Sequence, residues 1–600
     1  MKRRLRASVD SGNAPRRVSK VTLLVVLGIV SVWLLLLGVR LFDLQVLQHE
    51  KFLAAGRRMW SGTDPIRSVR GDIRLKDGVL VARDVFSYEV GLDPSLIDSE
   101  ERLVEAVRVV CDHLGQRAER RREALREALA RRESGLRYVR LARHVEEDLA
   151  AQIYVALQGI LPRAEWRAYL RRPTSSRQYP RGAFLGHVVG CTDPDGRGLE
   201  GVERSMDGYL AHRPGKRQVL RGAVRGFRVQ LPELREVAPI HGYDVVLTIE
   251  SRAQRILEEE LKKGIELQRA EAGLGIVLDC RNGAVRAMAS YPDYDPANFH
   301  RYPPEEQARR RKNRPIENTY EPGSVSKTFI VSSALSHQVA RRDEIIWSGG
   351  QTHVFRHGRH GRLVSDTREH PPLTLEGVLV HSSNIGMSFI GLRLGRERLI
   401  EVLERFGFFR PTGIELPGEA PGGRTKREEW RELWTSVSVA FGYELRVTPL
   451  QLCSSFAALV NGGRLWRPRI VERALSGGEE VLSNPPEMVD RPISEAVSRE
   501  MREILLGVVE RGTGQRLKMD GFLFGGKSGT ADMGRWYTKQ DYLASFEAFA
   551  PYDDPEVVVL VMIEKPRAGP IYGSSVAGPV VATFLRRYFR VESLPRFARY

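Results

Sequence analysis

Three short motifs carry side chains that together could attack an amide bond. They occur along the chain in the order Ser324-Val325-Ser326-Lys327, Ser382-Ser383-Asn384 and Lys527-Ser528-Gly529-Thr530. A serine hydroxyl attacks a carbonyl carbon only when a nearby base takes its proton. Ser324 and Lys327 are three residues apart, which makes them neighbours on one face of a helix. Each motif alone is a weak signal, but the ordered set predicts acyl transfer through an activated serine.

The first two motifs divide the proton chemistry between them. Lys327 is the predicted base for Ser324, because an apolar run directly after it (residues 329–331) would bury the helix. Burial and a nearby second cation lower the pKa of a lysine, so its neutral amine becomes available. Ser382 is predicted to relay a proton between Lys327 and the leaving or incoming amine. The amide of Asn384 can both donate to and accept from a substrate amide.

The third motif is predicted to bind the substrate. It follows the apolar residues 522–526, which predict a strand. Lys527 would add positive charge, and the hydroxyls of Ser528 and Thr530, on either side of Gly529, would hold a terminal carboxylate. Backbone N–H groups of Ser324 and Thr530 would form an oxyanion hole, which is usually the largest single contribution to catalysis.

With these motifs in place, the chain resembles the class B penicillin-binding proteins over most of its length. The matching stretches are residues 320–324, 382–386, 411–419, 440–443, 448–451 and 526–531. Upstream, Arg70-Gly71-Asp72-Ile73 resembles the family's pedestal motif, although the usual continuation is blurred. Val325, Ser326 and Ser528 also depart from the commoner residues, and none of these departures removes a catalytic group.

The N-terminus predicts a membrane anchor. Residues 21–39 are uncharged and mostly apolar, and as a helix they would span about 28 Å, close to the roughly 30 Å of a bilayer core. Seven basic residues and one acidic residue give residues 1–20 a net charge of +6, which predicts a cytoplasmic N-terminus. A cleaved signal peptide is the alternative, but it needs a shorter apolar core and a small-residue cleavage site. The residues after the apolar run, 40–45, favour an uncleaved anchor.

These landmarks predict a multidomain α+β protein. The expected parts are a cytoplasmic basic tail (1–20), a transmembrane signal anchor (21–40), a pedestal of the penicillin-binding protein dimerisation type (41–240) and a transpeptidase domain (241–600). The pattern predicts a helical block near 100–160, a hairpin over 275–288, a strand at 556–563 and a last helix at 578–587. The resemblance implies an antiparallel sheet flanked by helices, beside an all-helical subdomain that holds Ser324 and Ser382.

The composition limits the classes of molecule that the protein is expected to bind. The net charge is +18, and a basic surface attracts polyanions, but the predicted topology separates the bulk of the chain from nucleic acid. Anionic lipid head groups and wall polymers are the remaining polyanions, whereas the Arg-rich stretch 117–132 is interleaved with glutamates and predicts a solvated helix. The four cysteines lack metal-ligand spacing, which favours buried free thiols and leaves a disulfide open. No metal or organic cofactor is expected.

The resemblance implies a serine D,D-transpeptidase of peptidoglycan synthesis. Ser324 would attack the amide between the two terminal D-alanines of a stem peptide, and an amine of a neighbouring stem would then open the acyl-enzyme. β-Lactams would acylate the same serine. Residues 320–323 and the short C-terminus favour the septal branch over the elongation branch. A membrane glycan polymerase of the SEDS type, divisome proteins and membrane lipid are the expected partners of a single-pass plasma-membrane protein with its catalytic domain outside.

Two other classes of function compete with this prediction. A D,D-carboxypeptidase or β-lactamase would use the same serine and let water open the acyl-enzyme. Class A β-lactamases need a glutamate for that step, and the Leu-Asn dipeptide that accompanies it does not occur in the sequence. A catalytically silent scaffold would have lost the nucleophile or the lysine, and both residues are present.

Overall fold

The structure is a computed structural model that describes residues 20–52, 61–221, 228–229, 236–357, 360–533 and 541–592. The chain divides into two compact units, Met1–Ile66 with Pro214–Pro239 and Arg67–Arg213 with Ile240–Tyr600. In the first unit, strand Ser61–Ile66 pairs antiparallel with Gly215–Arg221. The second unit contains all three sequence motifs.

The first unit begins with the predicted apolar helix. It runs from Lys20 to Phe42, and the segment Leu23–Leu47 is long and apolar enough to cross a membrane. Its described side chains are exposed, as expected of a helix whose apolar surface faces lipid. Residues 1–19 of the predicted basic tail lie outside the described residues.

The second unit opens with an α+β region built on one long strand, Leu80–Leu92. This strand pairs antiparallel with Val139–Val145 and with Tyr169–Gln178. The three helices of the predicted helical block are Glu100–His113, Ala118–Glu133 and Glu147–Ile160. The middle helix buries only Ala124 and Ala128, which agrees with a solvated Arg-rich face.

A shared sheet joins this region to the catalytic part. Strand Ile73–Arg74 pairs antiparallel with Leu80–Leu92 and parallel with Asp244–Leu247. Asp244–Leu247 pairs in turn with Val471–Ser476. The strands of the two parts therefore belong to one sheet.

The elements of the catalytic part used in the description of the site are seven strands and eight helices. The strands are β1 Ala272–Asp279, β2 Val285–Tyr291, β3 Gly350–His357, β4 His360–His370, β5 Gly525–Asp532, β6 Tyr542–Ala550 and β7 Val557–Glu564. The helices are α1 Ser251–Leu267, α2 Lys327–Ser336, α3 Leu375–Val380, α4 Asn384–Arg405, α5 Glu432–Ala440, α6 Pro449–Val460, α7 Glu495–Arg511 and α8 Gly578–Tyr588.

Five of the strands form one antiparallel sheet in the order β2-β1-β7-β6-β5. Side chains alternate between its faces: Val277 packs with α1 and α8, whereas Ile276 packs with the fully buried helix α6. The predicted hairpin, late strand and last helix are all present. All four cysteines are buried free thiols, as favoured from the sequence.

One predicted strand begins later than expected. The apolar residues 522–524 precede β5, which starts at Gly525 and contains the whole third motif. The two glycines allow this start, because a Cβ at Gly525 would lie 2.4 Å from the ring of Phe549 and one at Gly526 would lie 2.9 Å from that of Phe546. The aromatic rings of β6 therefore cover the beginning of the strand, where side chains on β5 would collide with them.

Candidate active site

The three motifs come from different elements and converge at one site. Ser324 lies in a single turn, Gly323–Val325, and Lys327 is the first residue of α2. Ser382 and Asn384 lie between α3 and α4, where Ser383 caps α4 by accepting from the Gly386 amide. The third motif lies in the edge strand β5.

Lys327 is completely buried and surrounded by oxygen atoms. Its Nζ lies 2.7 Å from the Ser382 carbonyl oxygen, 2.7 Å from Asn384 Oδ1 and 3.3 Å from Ser382 Oγ. The two carbonyl oxygens only accept, so they hold two N–H groups of the lysine. The contact with the hydroxyl can run in either direction. A neutral Lys327 therefore donates to two carbonyls and keeps its lone pair for a proton.

Ser382 connects the two lysines. Its hydroxyl oxygen accepts from Lys527 Nζ at 3.0 Å and also contacts Lys327. Lys527 donates in addition to the Ser528 carbonyl at 2.9 Å. Ser382 has a left-handed backbone with φ +61°, a conformation that costs a residue with a side chain about 1–3 kcal/mol. The backbone strain at Ser382 accompanies a hydroxyl that contacts both amines.

The charge of the two lysines follows from their burial. Burial lowers the pKa of Lys327 to about 7, and the Asp366 carboxylate opposes part of that shift. Burial and the neighbouring Lys327 lower the pKa of Lys527 well below its usual range. Burial therefore disfavours the charged form of both lysines, and repulsion between the two ammonium groups adds to the lowering of the Lys527 pKa.

A pH profile tests the role of Lys327 directly. Since the neutral amine accepts the proton, acylation by benzylpenicillin should fall about tenfold per pH unit below the pKa, which is about 7. Above that pH the rate should level off. Stopped-flow acylation rates between pH 5.5 and 9, with protein fluorescence as a check on folding, measure this profile. A rate that falls as the pH rises through 7 would rule out a neutral lysine base.

Asp366, a buried residue of β4, holds the second motif and was not among the sequence-predicted residues. Its carboxylate accepts from Ser383 Oγ at 2.6 Å and from the amides of Asn384 at 2.5 Å and Ile385 at 3.3 Å. The amides belong to the N-terminus of α4, where a negative charge is favourable. Asp366 therefore positions Ser382 and Asn384 and also acts electrostatically on Lys327.

Asp366→Asn should slow acylation roughly tenfold to a hundredfold, because a charge-assisted bond is worth about 1.5–3 kcal/mol. It should also move the midpoint of the pH profile below that of the wild type, because the carboxylate raises the pKa of Lys327. Glu369→Gln, at an exposed position on the same strand, is the matched control. An unshifted midpoint in Asp366→Asn would limit Asp366 to a structural role.

The third motif forms the side of the site that belongs to the sheet. The Ser528 hydroxyl lies 3.3 Å from Thr513 Oγ1, and Thr530 Oγ1 accepts from the Gly573 amide at 3.2 Å. Gly529 allows β5 to approach the turn that carries Ser324, because a Cβ there would lie 2.4 Å from Ser545 Oγ and 3.1 Å from Val325. Thr530 Oγ1 is an acceptor in its contact and keeps its own proton, whereas either oxygen can be the donor between Ser528 and Thr513.

Ser324 completes the arrangement. It is half-buried, and its hydroxyl makes no hydrogen bond within the described residues. The Thr530 carbonyl lies 3.1 Å from where a Cβ on Gly323 would stand, so the backbones that carry the two predicted oxyanion-hole amides are adjacent. Among the described residues there is also no cluster of three or more His, Cys, Asp or Glu side chains suited to a metal ion. Ser324 lies three residues before the buried Lys327, whose contacts are to Ser382 and Asn384, and no hydrogen bond joins the Ser324 and Lys327 side chains within the described residues.

Comparison with known proteins agrees with this geometry. Residues 273–586 match the penicillin binding protein transpeptidase domain. The chain belongs to this family. Residues 65–247 also match the penicillin-binding protein dimerisation domain, so the predicted class B resemblance and the predicted mixed α+β fold are confirmed.

Several penicillin-binding proteins and their relatives are similar along most of the chain. Stage V sporulation protein D of Bacillus subtilis is 29% identical over 96% of this chain and 87% of its own length. The peptidoglycan D,D-transpeptidase FtsI of Escherichia coli is 29% identical over 93% and 90%. A crystal structure of a peptidoglycan synthetase from Bifidobacterium adolescentis, 23% identical, superposes with a TM-score of 0.68 over 89% of this chain and 98% of that one.

Proposed function

We propose that this penicillin-binding protein is a serine D,D-transpeptidase that forms its acyl-enzyme on Ser324. Lys327 takes the Ser324 proton while the oxygen attacks the carbonyl carbon between the two terminal D-alanines of a stem peptide. The amides of Ser324 and Thr530 stabilise the resulting oxyanion. The C–N bond then breaks, and the departing D-alanine receives its proton through Ser382.

The second half-reaction reverses the proton path. An amine of a neighbouring stem peptide attacks the acyl-enzyme carbonyl and gives its proton to Lys327. The Ser324 oxygen leaves and regains a proton, and the two stems are joined by a new amide. Asn384 orients the peptide amide, while Ser528 and Thr530, flanking Gly529, hold the terminal carboxylate of the donor.

A single observation carries this proposal: a fully buried Lys327 shares the Ser382 hydroxyl with Lys527. Two amines and one hydroxyl in contact can take a proton from a nucleophile and return it to a leaving group without an external base. The named function of the relatives, peptidoglycan D,D-transpeptidase, supports the choice of substrate.

The first test is a time course of intact mass for the purified protein with benzylpenicillin, alongside Ser324→Ala. A one-to-one adduct that persists for many minutes and is absent from the alanine variant is the expected result. Rapid loss of the adduct with turnover of penicillin would point to a hydrolase. Absence of any adduct at the pH of maximal rate would overturn the acyl-enzyme proposal.

We further propose a septal role for the protein, anchored by the helix Lys20–Phe42 with its N-terminus in the cytoplasm. The similarity to FtsI and residues 320–323 support the septal branch, in which a membrane glycan polymerase of the SEDS type and divisome proteins are the partners. A fluorescent fusion in the source cell should concentrate at the division site. Uniform distribution along the side wall would favour the elongation branch.

A further inference from the structure

A cavity of about 230 Å³ lies where the pedestal meets the catalytic part, and none of the three motifs lines it. Residues 183–187, helix α1 and strand β2 form its walls, and Leu185, Leu261 and Met288 make much of the lining apolar. Pockets for drug-sized ligands have about 300–1,000 Å³. The volume therefore suits a molecule of only a few heavy atoms.

One carboxylate oxygen in this cavity has no partner. Glu258 Oε1 accepts from the Leu185 amide at 2.8 Å and from Gln254 Nε2 at 2.7 Å. Its Oε2 makes no hydrogen bond within the described residues, and the partly buried side chain lines the cavity, so this oxygen is open to a ligand. A ligand ammonium group that donates to Oε2 would form a charge-assisted hydrogen bond there.

The electrostatic surroundings of Glu258 favour a cation. Burial, with the carboxylates of Asp293 and Glu259, raises the pKa of Glu258 to about 7. Asp293 pairs with Arg310, and Glu259 pairs with Arg587, whereas Glu258 has no ion pair with either arginine within the described residues. His187, also in the lining, is held neutral because burial lowers its pKa to about 4.

A free cation lies one helical turn away. Lys262 is four residues after Glu258 on α1, the spacing at which glutamate and lysine usually pair. The pair is not formed because Glu258 turns inward to the Leu185 amide. Lys262 is exposed, lines the same cavity and has no ion pair within the described part of the chain. The buried Ser290 hydroxyl, also in the lining, has no partner there either.

We propose that this cavity binds a small zwitterion of the amino-acid class, with its ammonium group on Glu258, its carboxylate on Lys262 and an apolar side chain against Leu185 and Met288. An α-amino acid carries its two charges one carbon apart, which suits two groups separated by one helical turn of about 5.4 Å. The ligand would contact the pedestal and the catalytic part together. This site is independent of the acyl-transfer proposal.

Valine is a stringent probe because each of its charged groups can be tested separately. Isobutylamine lacks the carboxylate and isovalerate lacks the ammonium group, and these two compounds are the half-probes. The full-length protein in detergent, treated with benzylpenicillin to occupy the active site, is titrated with L-valine, D-valine and both half-probes. Ligand-observed NMR and the melting temperature measure binding. At least one enantiomer should bind saturably, at least tenfold tighter than either half-probe, and its affinity should weaken as the pH falls below about 7, where Glu258 becomes protonated.

Variants locate the binding site. Glu258→Gln keeps an acceptor for the Leu185 amide and removes the charge, so affinity should fall at least tenfold. Lys262→Ala changes an exposed side chain and should cost about fivefold without affecting folding. Lys263→Ala, which removes a neighbouring lysine paired with Glu260, should change affinity less than twofold. Absence of saturable binding of both enantiomers, or equal binding by wild type and Lys262→Ala, would overturn the proposal.

Discussion

Lys327→Met should slow acylation of Ser324 by benzylpenicillin about 10³-fold or more, within the upper range for loss of a general base. The methionine side chain fills a similar volume in a completely buried site, but it cannot accept a proton. The residual rate should also lose the dependence on pH near 7 that a Lys327 base imposes. Stopped-flow or mass-spectrometric acylation rates across pH 6–9 measure both effects.

Two controls separate loss of the base from loss of structure. Lys327→Arg keeps a positive charge but stays protonated at every accessible pH, so it should be as slow as the methionine variant. Lys426→Met removes an exposed lysine and should leave the rate unchanged. If Lys327→Met acylated within tenfold of wild type while folding normally, the proton of Ser324 would have to leave by another route.

The candidate catalytic groups can be proposed from the sequence because they lie close together along the chain. Ser324 and Lys327 are joined by three-residue spacing, and Ser382 and Asn384 share one helix start, so short motifs specify both pairs. Only the fold brings these two pairs of residues together. The fold itself can be predicted from the periodic hydrophobic patterns of strands and helices such as β7 and α8. These elements are long and strongly patterned, which makes them the easiest to predict.

Asp366 is a residue of the site that local sequence patterns do not predict. It lies 16 residues before Ser382 on a hairpin strand, and its residue type and neighbours carry no signature of a role at α4. Only the pairing of β3 with β4 brings its carboxylate to the amides of Asn384 and Ile385. The lowered pKa of Lys527 has a related origin that short motifs omit, since burial in the fold and the neighbouring Lys327 set it.

The second large predicted effect is on stability and concerns the pedestal motif. Its Arg70 lies within a buried network of ion pairs. Its guanidinium donates to Glu203 Oε2 at 2.7 Å, to the Glu203 carbonyl at 2.7 Å and to Asp207 at 2.6 Å. Arg177 donates to the other Glu203 oxygen at 2.6 Å. The side chains of Arg70 and Glu203 are 1% and 0% exposed, so neither charge can be hydrated if its partner is removed.

Arg70→Met should destabilise the protein by about 3 kcal/mol, the lower end of the cost of breaking a buried ion pair, because Glu203 keeps Arg177 as a partner. At roughly 2–4 °C per kcal/mol for a region of this size, its melting temperature should fall by about 10 °C.

Arg70→Lys keeps the charge but loses the planar guanidinium fork, so its melting temperature should fall by less. Arg108→Met, which breaks an exposed pair with Glu105, should leave the transition unchanged. An equal effect of the buried and exposed variants in calorimetry would show that the pedestal motif does not stabilise the fold through this network. Acylation of Ser324 well below the transition should be the same in all three variants, because none of them contacts the site.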